Sequence, residues 1–351
     1  MSKIIETEIF KSFRSREYNY DFNKVTGYFK RWGKTLDEDP QTADSPEILD
    51  IEVSAGKCSG NCPWCYKSNS SKDEVKYMSL ETFKKIFVKL PKHVGQIALG
   101  ITDLDANPDL WKIMEFCRTN DYNKVVPNIT INGNNLTDGQ AGALARLCGA
   151  VAVSYYSDNV CFDAVKKLTD LGMTQINLHV LLALETYDNC LALLDKVKTD
   201  SRLAKLNAVV FLTLKPKGNR NKFHQLNDLE KYRVLINKAL SLGVSFGCDS
   251  CQAERLMLAV QGTENYKKFE PVVESCESTN FSFYIDTEAR GYPCSFAPGI
   301  PGWETGIDML EAKDFLADVW NHPRTIAFRN TLLASQEKSC VNCRTCPFYK
   351  L

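Results

Sequence analysis

Cys58, Cys62 and Cys65 lie within "GKCSGNCPWCYKSN" (residues 56–69), which places three thiols in eight positions. Where thiols stay reduced, cysteines grouped this closely are metal ligands more often than disulfides. A structural zinc ion takes four ligands, usually as two short pairs, and here there are three with no other cysteine or histidine close by in sequence. An iron–sulfur cubane is the better match. Three thiolates leave one of its irons open to an outside ligand, and an open metal position is what catalysis needs.

A second constellation lies near the C-terminal end. "FSFYIDTEARGYPCSF" alternates on both sides of a turn around Thr287 to Gly291 and reads as a hairpin, with Cys276 before its first strand and Cys294 at the end of its second. Cys340, Cys343 and Cys346 follow as C-x2-C-x2-C-P. Four or five thiolates there would staple a module too small to hold a core of its own. Cys117, Cys148, Cys161 and Cys190 stand singly in apolar or helical surroundings and read as small buried hydrophobes.

The elements that must position these groups alternate along the chain. "PEILDIEVSA" precedes "SLETFKKIFVKL", with Ser79 as N-cap and Phe83, Ile86, Phe87 and Leu90 on one helical face. "QIALGIT", "VVPNITING", "AVAVSYY", "INLHVLLA" and "LNAVVFLTL" each lead into a helical stretch, Pro108 and Thr137 marking helix starts, and "VSFGCD" closes the series. Six strand–helix units with nearly continuous apolar strands predict an α/β fold, a partial (β/α)6 TIM-like barrel, with a flat doubly wound sheet as the competitor. Residues 46–251 form the barrel in this reading. Residues 1–45, aromatic and ending in "DEDPQTADSPE", form a strap or a substrate lid, and residues 252–351 the small hairpin and cysteine module. The three-cysteine loop follows the first strand, and ligands gather at the carboxyl ends of parallel strands.

Cys248 and Cys251, in "FGCDSCQAE", end the last barrel strand. With the five later cysteines they bring the count to seven, which raises a second auxiliary cluster or an extra ligand; a zinc ribbon with the terminal cysteines is the non-catalytic reading. The preferred one puts Asp249 and Cys251 against the substrate as catalytic groups. The basic run "KPKGNRNK" (215–222) reads as a solvated loop.

Composition narrows the classes. The 351 residues carry 43 basic and 43 acidic side chains, so no positive field favours nucleic acid or an anionic membrane. No signal peptide or membrane span is visible, and a cytoplasmic protein is expected. P-loop, dinucleotide and serine-elbow motifs are missing from the sequence.

The Cys58-x3-Cys62-x2-Cys65 loop, with Trp64 before its last cysteine and a strand before the whole, resembles the radical S-adenosylmethionine (radical SAM) superfamily. The resemblance implies a 4Fe–4S cluster whose free iron chelates S-adenosylmethionine, and an electron donor such as flavodoxin or ferredoxin. Reductive cleavage then gives methionine and a 5′-deoxyadenosyl radical that abstracts a substrate hydrogen. By the same resemblance Trp64 lies near the adenine. In "ALGITDLDANPDLW", Gly100 and either Asp103 or Asp105 stand in for the family's Gly-Gly-Glu, which holds the methionine amino group. Asn132 of "TING", Ser154 of "AVSYY" and Glu185 fall where the family contacts its cofactor; as strand-end, turn or helix-start residues they have local explanations too.

The C-terminal cysteines resemble a twitch module, the shorter relative of the SPASM domain. That implies one auxiliary 4Fe–4S cluster on Cys276, Cys294 and two of Cys340, Cys343 and Cys346. Relatives with such modules mostly modify ribosomal peptides or proteins, so a peptide substrate is the first expectation. A small-molecule dehydrogenase or mutase is the second, because the N-terminal segment is short for a winged-helix peptide-recognition domain. A zinc-stabilised binding protein is the alternative from a different class.

Overall fold

The structure is a computed structural model and describes residues 2–349. Tyr18, Tyr20 and Phe22 recur at every second residue, the period of a strand with one buried face. They belong to a four-stranded antiparallel meander of β1 (Lys3–Glu6), β2 (Phe10–Arg14), β3 (Asn19–Asn23) and β4 (Phe29–Trp32). Its inner face joins Phe13, Tyr18, Tyr20 and Phe22 to Phe281 in a small separate core. The expected strap is therefore a sheet.

The barrel begins with β5 (Ile48–Glu52), where Leu49 and Ile51 are buried against the helical layer while Asp50 and Glu52 take the opposite face. β6 (Ser54–Gly56) and β7 (Val75–Tyr77) pair antiparallel and tie off the base of a long loop. Then come α1 (Leu80–Phe87), β8 (Gln96–Gly100), α2 (Leu110–Thr119), β9 (Pro127–Ile131), α3 (Asp138–Leu147) and β10 (Val151–Ser154). The alternation continues through α4 (Asp158–Asp170), β11 (Ile176–Leu182), α5 (Tyr187–Thr199), β12 (Ala208–Thr213), α6 (Leu229–Leu242) and β13 (Phe246–Cys248). The Ser79 side chain accepts from Thr82 N, and Thr137 forms a capping box with Gln140, so the helices start where the sequence signals put them. Strands β5 and β8 to β13 run parallel in chain order, each neighbour beside the last. This is the expected α/β partial barrel.

The C-terminal part follows as α7 (Ala253–Val260), α8 (Tyr266–Phe269), β14 (Ser282–Ile285), β15 (Arg290–Tyr292), β16 (Ile307–Asp308) and α9 (Pro323–Gln336). The hairpin of β14 and β15 forms as predicted, but it is no detached module. β14 pairs parallel with β5, so the sheet runs on from the barrel into β15 and β16 as ten strands. The core is correspondingly continuous, joining Leu49 and Ile51 to Phe283, Ile285, Phe315 and Trp320.

The meander caps the amino ends of the barrel strands. Tyr20 donates to the His93 carbonyl and Tyr18 to the Glu47 carboxylate, while Lys11 binds Asn123 and Gln175 donates to the Val25 carbonyl at 3.2 Å. Glu47, His93, Asn123 and Gln175 all precede strands. Arg31 holds this joint, 3.2 Å from Glu47 and stacked 3.7 Å over the Phe281 ring. A lid over the opposite, carboxyl-end mouth is not what this packing provides. Among the described residues no helix is long and apolar enough to cross a membrane.

Candidate active site and a second thiol cavity

Cys58, Cys62 and Cys65 sit on the loop between β6 and β7, at the carboxyl end of the first barrel strand. Its backbone is pinned by Cys58 N to the Ser70 carbonyl (3.0 Å), Cys65 N to the Cys62 carbonyl (3.2 Å) and Ser68 N to the Cys65 carbonyl (2.9 Å). Asn61 (φ 43°) and Ser68 (φ 60°) take the left-handed conformation that so tight a path demands. The three thiols are all partly buried and turned toward one another. The neighbouring Cys62 thiol, helped by the Arg220 guanidinium, draws the Cys65 thiol below its ordinary range, while Cys65 pushes Cys62 up. Burial raises Cys58.

The 215–222 run is not the solvated loop expected from its charge. Arg220 donates to Asn61 Oδ1 (2.7 Å) and to the Asn69 carbonyl, and Asn219 N donates to Ser68 Oγ (2.8 Å), so this segment grips the cysteine loop from above. On its other side Lys217 donates to the Phe296 and Pro298 carbonyls at 3.0 and 2.7 Å. Gly218, at φ +101°, makes the close approach possible, since a Cβ there would lie 2.2 Å from the Cys65 carbonyl oxygen. Gly218→Ala is therefore expected to push the cysteine loop aside at a cost of about 1–3 kcal/mol. The measurement is the rate at which a chelator strips iron from the reconstituted protein: a several-fold rise is expected, and an unchanged rate would contradict the clamp.

The residues assigned by resemblance are brought to the same mouth. Trp64 packs against Phe223 (centroids 5.1 Å) and Tyr156 (6.2 Å). Asp103 accepts from Ser59 N at 2.8 Å and from the side chains of Ser59 and Asn132, which ties the end of β8 and the end of β9 to the cysteine loop. Asp105 is exposed, with no such tie. Gly100 faces Glu52, whose Cα would sit 3.4 Å from a Cβ at this glycine. Ser154 ends β10 in register with His179, and Glu185 is engaged by His224, whose Nδ1 lies 2.6 Å away.

The polar group inside the barrel has no counterpart in any sequence motif. Glu52 accepts from Tyr284 Oη at 2.9 Å and lies 3.3 Å from Lys67, and Asp50 on the same strand is pushed up to about 7 by burial. The parallel pairing of β14 with β5 brings Tyr284 there, and no local pattern announces a partnership across 232 residues.

A second cavity is walled by Cys251, Cys276, Cys294 and Cys346, together with Lys215 and Tyr349. Cys251 comes from the turn after β13, Cys276 from before β14, Cys294 from just after β15, and Cys346 from the C-terminal segment. Burial raises all four thiols, Cys294 to about 12, and Cys276 acts on each of the other three. Thiols so disposed ionise only when a metal centre takes up their charge, which is the fit required of a cluster site. Of the last three cysteines only Cys346 lines this cavity. Cys340 is exposed, and Cys343 is buried beside Cys340 and Glu254.

Cys251, expected against the substrate, thus lines the cavity of the other thiols. Asp249 accepts from Thr213 N (3.2 Å), Gln252 Nε2 (3.0 Å) and Lys215, the partners of a carboxylate that braces a turn. Among the described residues no three Cys, His, Asp or Glu side chains close around a single-ion position.

No protein-family model and no curated protein matches the chain. Solved structures do. The crystal structure of Streptococcus suis SuiB bound to S-adenosylmethionine is 12% identical, with a TM-score of 0.71 over 98% of this chain and 99% of that one. SuiB bound to the precursor peptide SuiA is 13% identical, with a TM-score of 0.71 over 97% and 94% of the two chains. The anSMEcpe structure with AdoMet and the Cp18Cys peptide is 14% identical, with a TM-score of 0.57 over 87% of each chain. At such identities the likeness is one of fold, and it extends through the meander, the barrel and the C-terminal hairpin together.

Proposed function

We propose that this protein is a radical SAM enzyme that modifies a peptide. The observation that carries the reading is the trio of converging, partly buried thiols on the first loop of a parallel barrel, held from two sides. Cys58, Cys62 and Cys65 would hold a 4Fe–4S cluster, and Cys251, Cys276, Cys294 and Cys346 an auxiliary one. When bound, the first cluster supplies the electron that cleaves S-adenosylmethionine to a 5′-deoxyadenosyl radical. A small electron-transfer protein of the flavodoxin or ferredoxin kind delivers that electron.

The chain's own residues bind and shield. Trp64, Phe223 and Tyr156 offer an aromatic wall for a purine, and Asp103 and Asn132 fix the cysteine loop against the ends of β8 and β9. Glu52, Tyr284, Lys67 and Asp50 give the barrel interior fixed polar groups with which to orient a substrate. Fold likeness over nearly the whole chain to a protein solved with a precursor peptide supports the peptide class.

Anaerobically prepared protein is expected to contain iron and acid-labile sulfide and, with dithionite, to convert S-adenosylmethionine to 5′-deoxyadenosine and methionine. Colourless zinc protein without turnover would overturn this in favour of a metal-stapled binding protein. A mass change in candidate precursor peptides, but not in small metabolites, is the outcome expected for the substrate class.

A further inference from the structure

Lys215 belongs to two structures at once. It lies two residues past β12, is only 5% exposed, and lines the second thiol cavity with Cys251 and Cys346. Its ammonium group is fixed from two directions, the Asp249 carboxylate pairing with it and the Phe296 ring lying 4.5 Å beneath it, and it shares the cavity wall with the Cys251 thiol. Lys217, two residues on, anchors the same segment to the Phe296 and Pro298 carbonyls. A lysine so immobilised and dehydrated is costly unless its charge is used.

We propose that Lys215 is a positioning residue for the auxiliary cluster, holding a fixed positive charge beside the Cys251 ligand so that the cluster accepts an electron more readily. The inference rests on the auxiliary-cluster reading above. A 4Fe–4S centre with four thiolates gains one unit of negative charge on one-electron reduction, with no proton needed. A cation beside a ligand sulfur stabilises the reduced form more than the oxidised form, which raises the reduction potential. Asp249 works in the opposite direction and keeps Lys215 in place. The ion pair is therefore a dipole with its positive end on the cluster, carried by the segment that also clamps the Cys58 to Cys65 loop. One stretch of seven residues, 215–221, then sets both the seat of the first centre and the potential of the second.

The test uses full-length protein in which Cys58, Cys62 and Cys65 are alanine, so that the auxiliary centre alone gives the reduced-cluster EPR signal. It is titrated with dithionite under anaerobic conditions. Lys215→Met is expected to shift the midpoint to more negative potential, Lys215→Arg to restore most of the shift, and Asp249→Asn to move it positive. A merely structural lysine would alter cluster content without this ordered, oppositely signed pair. Unchanged midpoints in Lys215→Met and Asp249→Asn, or shifts of the same sign, would overturn the proposal. Should Lys215→Met fail to fold, the Asp249→Asn and Lys215→Arg titrations still decide it. A background protein that holds no iron at all would instead overturn the auxiliary-cluster reading itself, so the two failures are distinguishable.

Discussion

Replacing Cys58, Cys62 and Cys65 together by alanine is expected to remove about four irons per chain and to bring 5′-deoxyadenosine formation down to background, while the iron of the second cavity stays. The loss should be complete because the thiolates are the only soft ligands on this loop, and no neighbouring cysteine can slide in: the other thiol group lines a separate cavity with Lys215 and Phe296. The fold should survive. The loop is anchored by the β6–β7 pairing and by Arg220, and the large core around Leu49, Ile97 and Val153 does not draw on the three cysteines. Far-ultraviolet circular dichroism and the thermal midpoint of the metal-free protein are therefore expected to match the parent. Retention of S-adenosylmethionine cleavage in the triple variant would remove the basis for placing the radical centre here. Single replacements should be nearly as severe in activity, since a cluster held by two thiolates is lost readily.

Much of this arrangement was legible because the informative signals are local. A parallel strand buried on both faces must be apolar at nearly every position, as in "VLL" and "AVVFL", and helix caps such as Ser79 and Thr137 act within three residues. The cysteine loop was visible for the same reason. The meander was missed as a sheet although Tyr18, Tyr20 and Phe22 carry the period of two. Its strands are four or five residues long and β1 is exposed throughout, so the alternation is too short to stand out. Long-range pairing is what sequence does not display. Lys215 reads as part of a charged loop until β12, the turn at Cys251 and the C-terminal segment are placed around it. Glu52, likewise, gains meaning only once β14 lies beside β5.

The division of the C-terminal cysteines follows from the same point and yields a second expected result. Spacing alone groups Cys340, Cys343 and Cys346, yet the chain reverses after α9 so that Cys346 enters the cavity while Cys340 remains at the surface. In the background lacking the first cluster, Cys251→Ala and Cys346→Ala are each expected to lose most of the remaining iron, about four per chain, and the reduced-state EPR signal with it. Cys340→Ala is expected to keep both. Cys343→Ala should also keep the cluster but lower the thermal midpoint, because its thiol is packed against the main core, and removing a buried group of that size costs roughly 1 kcal/mol. The contrast between Cys251 and Cys340 decides the matter, since one is distant in sequence and lines the cavity while the other is near in sequence and exposed. Loss of iron from Cys340→Ala with retention in Cys251→Ala would return Cys251 to the substrate and restore the adjacent-cysteine ligand set.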